Sequence, residues 1–170
     1  MLLPDRMEHR RVIAGHLGCP VCGWSTAWTD AIPDFGEGWT ARGTSPFDAA
    51  AAHTMLGLGG PGGFVALAGE AGGLAADLAS RLPGVGIVAI NPPGETRPDG
   101  AISVIRSGEW PLKSHSMRGV VLGQDAGRWR DEAIATTLPG LRTIGVGTPP
   151  KGPGTELLAT AGGVWVATRH

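Results

Sequence analysis

Tyrosine is absent from this chain of 170 residues, phenylalanine occurs three times and cysteine only twice. The aromatic bias accompanies 29 glycines and reads as base composition together with many tight turns, to which no function attaches. Neither sign of charge is in excess, with 14 Lys and Arg against 15 Asp and Glu, which excludes a general nucleic-acid binder acting through bulk charge. Two short basic clusters, His9-Arg10-Arg11 and Arg128-Trp129-Arg130, read as solvated faces. Long apolar runs are lacking too. None approaches the roughly 18 residues that cross a bilayer, and the Leu2-Leu3 start is broken by Pro4-Asp5-Arg6 before a secretory core can form. A cytoplasmic protein with no membrane contact is expected. The chain has no internal repeat, and at 42% hydrophobic residues it can bury one sizeable core.

The sequence divides near residue 44. Residues 1–44 hold both cysteines and Trp24, Trp28 and Trp39, without sustained periodicity, and predict a small irregular module with one helix. From Ser45 onward, helical and strand patterns alternate. Ser45-Pro46-Phe47-Asp48 predicts a helix start, with Ser45 as cap, and the helix runs to Leu58 before Gly59-Gly60-Pro61-Gly62. Apolar runs predict strands at 64–68, 87–90, 102–105, 120–122, 141–146 and 164–168, with 157–160 pairing to the last across Ala161-Gly162-Gly163. Leu74, Leu78 and Leu82 mark a helix stripe, and 130–138 a further helix closed by Pro139-Gly140. The alternation predicts an α/β, Rossmann-like, mostly parallel sheet with helices on both faces over 45–170.

In such sheets a ligand sits beyond the carboxyl ends of the strands, near the point where strand order reverses. The turn Gly69-Glu70-Ala71-Gly72-Gly73 after the first predicted strand fills that place, where glycines let the backbone approach a ligand closely. A ligand-free strand-to-helix turn is the alternative reading. The Gly57-to-Gly62 cluster matches a dinucleotide pattern better but precedes the strand, so it reads as a helix stop.

Residues 45–147 resemble class I S-adenosylmethionine (SAM)-dependent methyltransferases, particularly the small-molecule "type 11" group. The resemblance rests on 65–72 as the first motif, on Asn91 after 87–90, on Glu109-Trp110-Pro111-Leu112 followed by 116–122, and on 138–147. It implies that Gly69, Glu70, Gly72, Asn91, Glu109 and Trp110 line the cofactor SAM. Departures from the family pattern are systematic. Leu67, Asn91, Arg106 and Arg118 stand where the family carries acidic residues, and Ala71 replaces the central loop glycine. Each lost charged hydrogen bond costs about 1.5 to 3 kcal/mol, so two of them weaken binding on the order of a hundredfold. No base is evident. Methyl transfer chiefly needs alignment, and His115 and Glu109 are the candidates nearest the predicted cleft.

Cys19-Pro20-Val21-Cys22, with His16 before it and 30–35 after it, resembles a Trm112-like zinc-ribbon segment, here truncated. Two thiolates on a tight turn fill two corners of a tetrahedron. Completing a metal site at Cys19 and Cys22 would need His16, His9, His53 or a partner chain, and zinc is not expected. A thioredoxin-like reading is weaker, because the pair does not lie between a strand and a helix of the main sheet. Three readings follow. The chain is a SAM-dependent methyltransferase with weakened cofactor binding; or a non-catalytic subunit that docks a protein partner or a second copy through its Trp-rich N-terminal module; or a domain in which Arg106 or Arg118 meets the phosphate of another nucleotide.

Overall fold

The computed structural model describes residues 1–9 and 11–170. Arg10 of the first basic cluster lies outside the described residues. Four strands open the chain: β1 (Leu2–Glu8), β2 (Arg11–Gly18), β3 (Ser25–Thr29) and the two-residue β4 (Ile32–Pro33), forming an antiparallel sheet in that order. The expected irregular module with a helix is therefore corrected. Its first strand, β1, is exposed along its whole length and so carries no apolar alternation.

Helix α1 (Ala49–Leu56) follows, capped by Asp48, whose side chain accepts from the Ala51 N–H at 2.8 Å. Ser45 instead closes a local turn by accepting from the Phe47 N–H, so the cap lies three residues beyond the expected one. Then come β5 (Phe64–Ala68), a 3₁₀ turn over Gly69–Leu74, α2 (Ala75–Arg81), β6 (Gly86–Ile90), β7 (Ile102–Ile105) and β8 (Met117–Leu122). A second 3₁₀ turn (Gln124–Trp129) leads into α3 (Arg130–Thr136), followed by β9 (Thr137–Val146), β10 (Thr155–Ala161) and β11 (Val164–Arg169). The helix expected over 130–138 stops at Thr136, and Pro139-Gly140 lies within β9. Pairing of β8 with β9 shifts register there, from Met117 with Thr137 to Gly119 with Arg142. A bulge accommodates a proline that an unbroken ladder would reject.

These seven strands form one sheet in the order β10-β11-β9-β8-β5-β6-β7. Strands β7, β6, β5, β8 and β9 are mutually parallel, and β11 runs antiparallel to both β9 and β10. Strand period decides the two faces. Val65, Leu67, Ile87 and Val121 pack under α1 and α2, whereas Ala66, Val88, Ile90 and Val120 pack with Trp129 and Trp165. Leu67 is thus wholly buried among apolar side chains on the helix-covered face. Where a longer connection would carry a covering helix between β7 and β8, the short stretch 106–116 lays Trp110 and Leu112 against the second face. Among the described residues no helix is long and apolar enough to cross a membrane.

The two sheets are joined at β7. The Arg106 N–H donates to the Pro33 carbonyl at 2.9 Å, and the Phe35 N–H to the Arg106 carbonyl at 2.8 Å. A parallel bridge between Asp34 and Arg106 extends the seven-stranded sheet by a short length of N-terminal chain.

Candidate functional site: the crevice at the strand ends

Strand order reverses beside β5, so the carboxyl ends of β5, β6 and β8 bound the expected ligand crevice. Residues 36–44 run across these ends as a strap. The Gly108 N–H after β7 donates to the Gly36 carbonyl at 2.6 Å, and the Ala41 N–H donates to the Asn91 carbonyl after β6 at 3.3 Å. A further parallel bridge joins Ala41 to Pro93, and Ala41 is buried. The strap is latched by Arg106, whose guanidinium donates to the Trp39 carbonyl at 3.0 Å and to Thr40 Oγ1 at 2.6 Å. Trp39 packs on Trp129 with ring centroids 4.8 Å apart, and the Arg128 guanidinium lies 4.5 Å from the Trp39 centroid. Such aromatic and cation–π contacts each contribute about 0.5 to 1.5 kcal/mol beyond area burial.

The loop after β5 turns at Gly69, with φ of 64°. Its close approaches are made to protein. A methyl at Gly69 would overlap the Asp125 carboxylate, and one at Gly72 would come within 2.5 Å of the Pro92 side chain. The same Asp125 carboxylate accepts from the Glu70 N–H at 3.0 Å and lies 3.4 Å from the Trp39 indole nitrogen. The loops after β5, β6 and β8 and the strap therefore close on one another.

Asn91 follows β6 at φ of 49° and is wholly buried. Its amide is bonded at both ends: Nδ2 donates to the Ser107 carbonyl at 2.6 Å, and Oδ1 accepts from the Ser107 N–H at 3.0 Å. The group expected to meet ribose hydroxyls instead ties the end of β6 to the segment after β7. Glu70 is half-buried at the edge of an open cleft of about 440 Å³, which also meets Ser45, Asp48, Gly73 and Glu95. Its charged groups are Asp48, Glu70 and Glu95, all carboxylates. Glu109 is exposed and lines a separate cleft of about 460 Å³ with Trp24, Phe35 and Glu37. Trp110 donates from its indole to Thr136 Oγ1 at 2.7 Å and meets Trp129 edge-on at 5.5 Å, which places it in the covered sheet face. The structure thus brings together Gly69, Glu70, Gly72 and Asn91, and sets Glu109 and Trp110 apart from them.

Other candidates lie elsewhere. Arg118 opens β8 at the opposite end of the sheet, where its guanidinium donates to the carbonyls of Gly59, Gly60, Pro61 and Gly62 at 2.6 to 3.1 Å. Those carbonyls take up N–H donors of the guanidinium. His115 precedes β8 at that same end and is exposed, so its expected position near the cleft is corrected. Arg128-Trp129-Arg130 is not simply a solvated face, because Trp129 is buried. Sequence reasoning missed Asp125 and the strap. The only signals were an acidic residue two places after Gly123 and the Gly36-Glu37-Gly38-Trp39 stretch, both of which act across long sequence separations.

In the N-terminal sheet, Cys19 and Cys22 occupy the turn between β2 and β3 as free thiols. Among the described residues no group of three His, Cys, Asp or Glu could hold a metal ion. His16 faces Asp5 at 3.4 Å, and His53 lies within α1. The resemblance to a zinc ribbon gains no support from this arrangement.

No family model matches the sequence, and no curated protein matches it significantly. Solved structures do resemble it. The tRNA (m1A58) methyltransferase TrmI from Aquifex aeolicus aligns with a TM-score of 0.51 at 8% identity, over 78% of this chain and 72% of that one. A protein from Agrobacterium tumefaciens, Atu636, described as a predicted O-methyltransferase, aligns with a TM-score of 0.50 at 16% identity, over 72% and 80% of the two chains. A geranyl diphosphate methyltransferase in complex with GPP and sinefungin aligns over 58% of this chain at 16% identity and a TM-score of 0.47, and this chain spans 43% of its length. At such identities the likeness is one of fold: the chain has the α/β, Rossmann-like methyltransferase fold, with a separate small antiparallel sheet of four strands at its N-terminus.

Proposed function

We propose that this chain is a SAM-methyltransferase-like protein that holds SAM weakly or not at all, because its own strap and Asp125 occupy the cofactor crevice, and that it acts as a non-catalytic binding or assembly subunit. The observation that carries this reading is that the Asn91 side chain and the Glu70 N–H, two groups expected to meet the cofactor, are bonded to protein. The Asn91 amide is closed on Ser107, the Glu70 N–H is bonded to Asp125, and Arg106 holds the strap. Binding SAM in the usual pose would require breaking these bonds in addition to doing without the family's carboxylates.

A role in docking is supported by where apolar side chains are exposed. Met1, Leu2, Leu3, Met7, Val21 and Trp24 are six of the nine exposed large hydrophobics among the described residues, all within the N-terminal sheet and its turns. Concentrated exposure of this kind marks interaction surfaces. The partner is then a protein or a second copy of the chain, reached through the sheet while the strap stays in place.

Calorimetric titration of the intact protein with SAM and with S-adenosylhomocysteine is the test. Dissociation constants weaker than about 100 μM are expected, the consequence of losing charged contacts worth about 1.5 to 3 kcal/mol each. A low-micromolar constant would overturn the reading.

A further inference from the structure

The tip of the β2–β3 hairpin presents two thiols on one short turn. The Cys19 N–H donates to the Trp24 carbonyl at 2.8 Å, and the Gly23 N–H donates back to the Cys19 carbonyl at 3.0 Å, with Gly23 at φ of 72°. This closed loop, one helical turn in size, places residues three apart on the same side, so Cys19 and Cys22 share one short turn. Both cysteines are unpaired; Cys19 is half-buried and Cys22 exposed. Between them Val21 is 93% exposed, so the turn projects into solvent and is open to a small reagent. Since no third ligand joins them among the described residues, the arrangement offers two thiols on one turn and an approach path, without the remaining corners of a tetrahedral metal site.

We propose that Cys19 and Cys22 form a redox-active dithiol that exchanges with low-molecular-weight disulfides, with Cys19 as the attacking sulfur and Cys22 as the resolving one. The Cys19 thiolate attacks one sulfur of a disulfide RSSR, forming a Cys19–S–S–R bond and releasing RS⁻. Cys22 then attacks the Cys19 sulfur as a thiolate, closing the Cys19–Cys22 disulfide and releasing the second RS⁻. The two protons given up by the cysteines reach the two leaving thiolates through solvent. The protein loses two electrons, and RSSR becomes two RSH. The roles follow from the asymmetry of the turn. The backbone N–H groups of Cys22 first, and then of Val21, favour the thiolate and hold the Cys19 thiol below the ordinary thiol range, with a further contribution from the Cys22 thiol. Cys22, exposed and adjacent, is placed to reach the mixed disulfide. The site lies at the β2–β3 turn of the N-terminal sheet, and the proposal does not depend on whether the crevice binds SAM.

The intact protein is equilibrated with glutathione and glutathione disulfide at a series of ratios, quenched by alkylation and weighed by mass spectrometry, beside C22S and C19S. The wild-type chain is expected to lose the mass of two hydrogen atoms with no bound glutathione. C22S is expected to accumulate one glutathione, on Cys19. C19S is expected to be modified more slowly, by about tenfold, since the preferred attacking sulfur is gone. Retention of two free thiols by the wild type at every ratio would overturn the proposal. So would equal modification rates of the two variants, a disulfide between chains in place of the internal one, or zinc bound stoichiometrically to the cysteines of protein purified without chelator.

Discussion

The variant N91D, which restores the carboxylate that the methyltransferase resemblance calls for, is expected to lose stability and to gain no affinity for SAM. Asn91 is wholly buried, and its amide makes a reciprocal pair with the backbone of Ser107, one bond of 2.6 Å and one of 3.0 Å. Substituting oxygen for the amide nitrogen removes the donor and sets a charge against the Ser107 carbonyl. Burial and that carbonyl both disfavour the ionised form, so the new carboxyl has a raised pKa in the folded state. A group with a raised carboxyl pKa destabilises the fold at pH values above its unfolded pKa, and the penalty fades as pH falls from the raised folded value to the ordinary carboxyl value of about 3.9. At neutral pH the expected loss is about 2 to 4 kcal/mol, as for a buried polar group left unmatched. In a chain of this length that lowers the melting temperature by roughly 4 to 16 °C. Thermal unfolding of N91D at neutral and mildly acidic pH, beside the parent, gives the measurement. An unchanged melting temperature together with tighter SAM binding would mean that Asn91 faces a ligand.

Removal of the Trp39 side chain is the second large effect. The indole packs on Trp129, lies under Arg128 and directs its nitrogen toward Asp125, while its carbonyl is held by Arg106. Full truncation of a buried aromatic costs about 3 to 5 kcal/mol, and since Trp39 is only half-buried the expected loss for W39A is about 2 to 4 kcal/mol. The strap should loosen before the sheet unfolds, because Trp39 belongs to the strap alone. Arg42 is an exposed residue of that strap, so tryptic cleavage after it is expected to accelerate by about tenfold or more as local opening becomes easier. Urea denaturation gives the first quantity and a cleavage time course the second. Cleavage at the parent's rate would show that Trp39 does not pin the segment.

The main sheet was legible because its strands are short apolar runs bounded by glycine and proline, and burial on both faces demands such runs in parallel strands. The order β5, β6, β7, β8 follows from those runs alone. The end of α3 was misread because Pro139-Gly140 is a reliable helix stop in isolation, and only the pairing of β9 with β8 absorbs it into a bulged strand. Strand β1 left no alternation to read, since it is exposed on both faces. Around the crevice, local sequence identified the right loops and missed what fills them. Gly69 and Asn91 were legible as loop residues after strands, but their partners are Asp125 and Ser107, and the contact that closes the loop spans 55 residues between Glu70 and Asp125. Arg106 and Arg118 were singled out together as basic residues at positions that are acidic in the family. Structure separates them, one latching the strap and the other binding the carbonyls of residues 59–62 at the far end of the sheet.

Amide hydrogen exchange resolved to single residues, with and without SAM, tests most directly whether the strap closes the crevice. The Ala41 N–H is bonded to the Asn91 carbonyl and the Glu70 N–H to the Asp125 carboxylate, so both are expected to be protected in the free protein and unchanged by added SAM. Rapid exchange at Ala41 and Glu70 without ligand, slowed when SAM is added, would contradict closure and return the crevice to the cofactor.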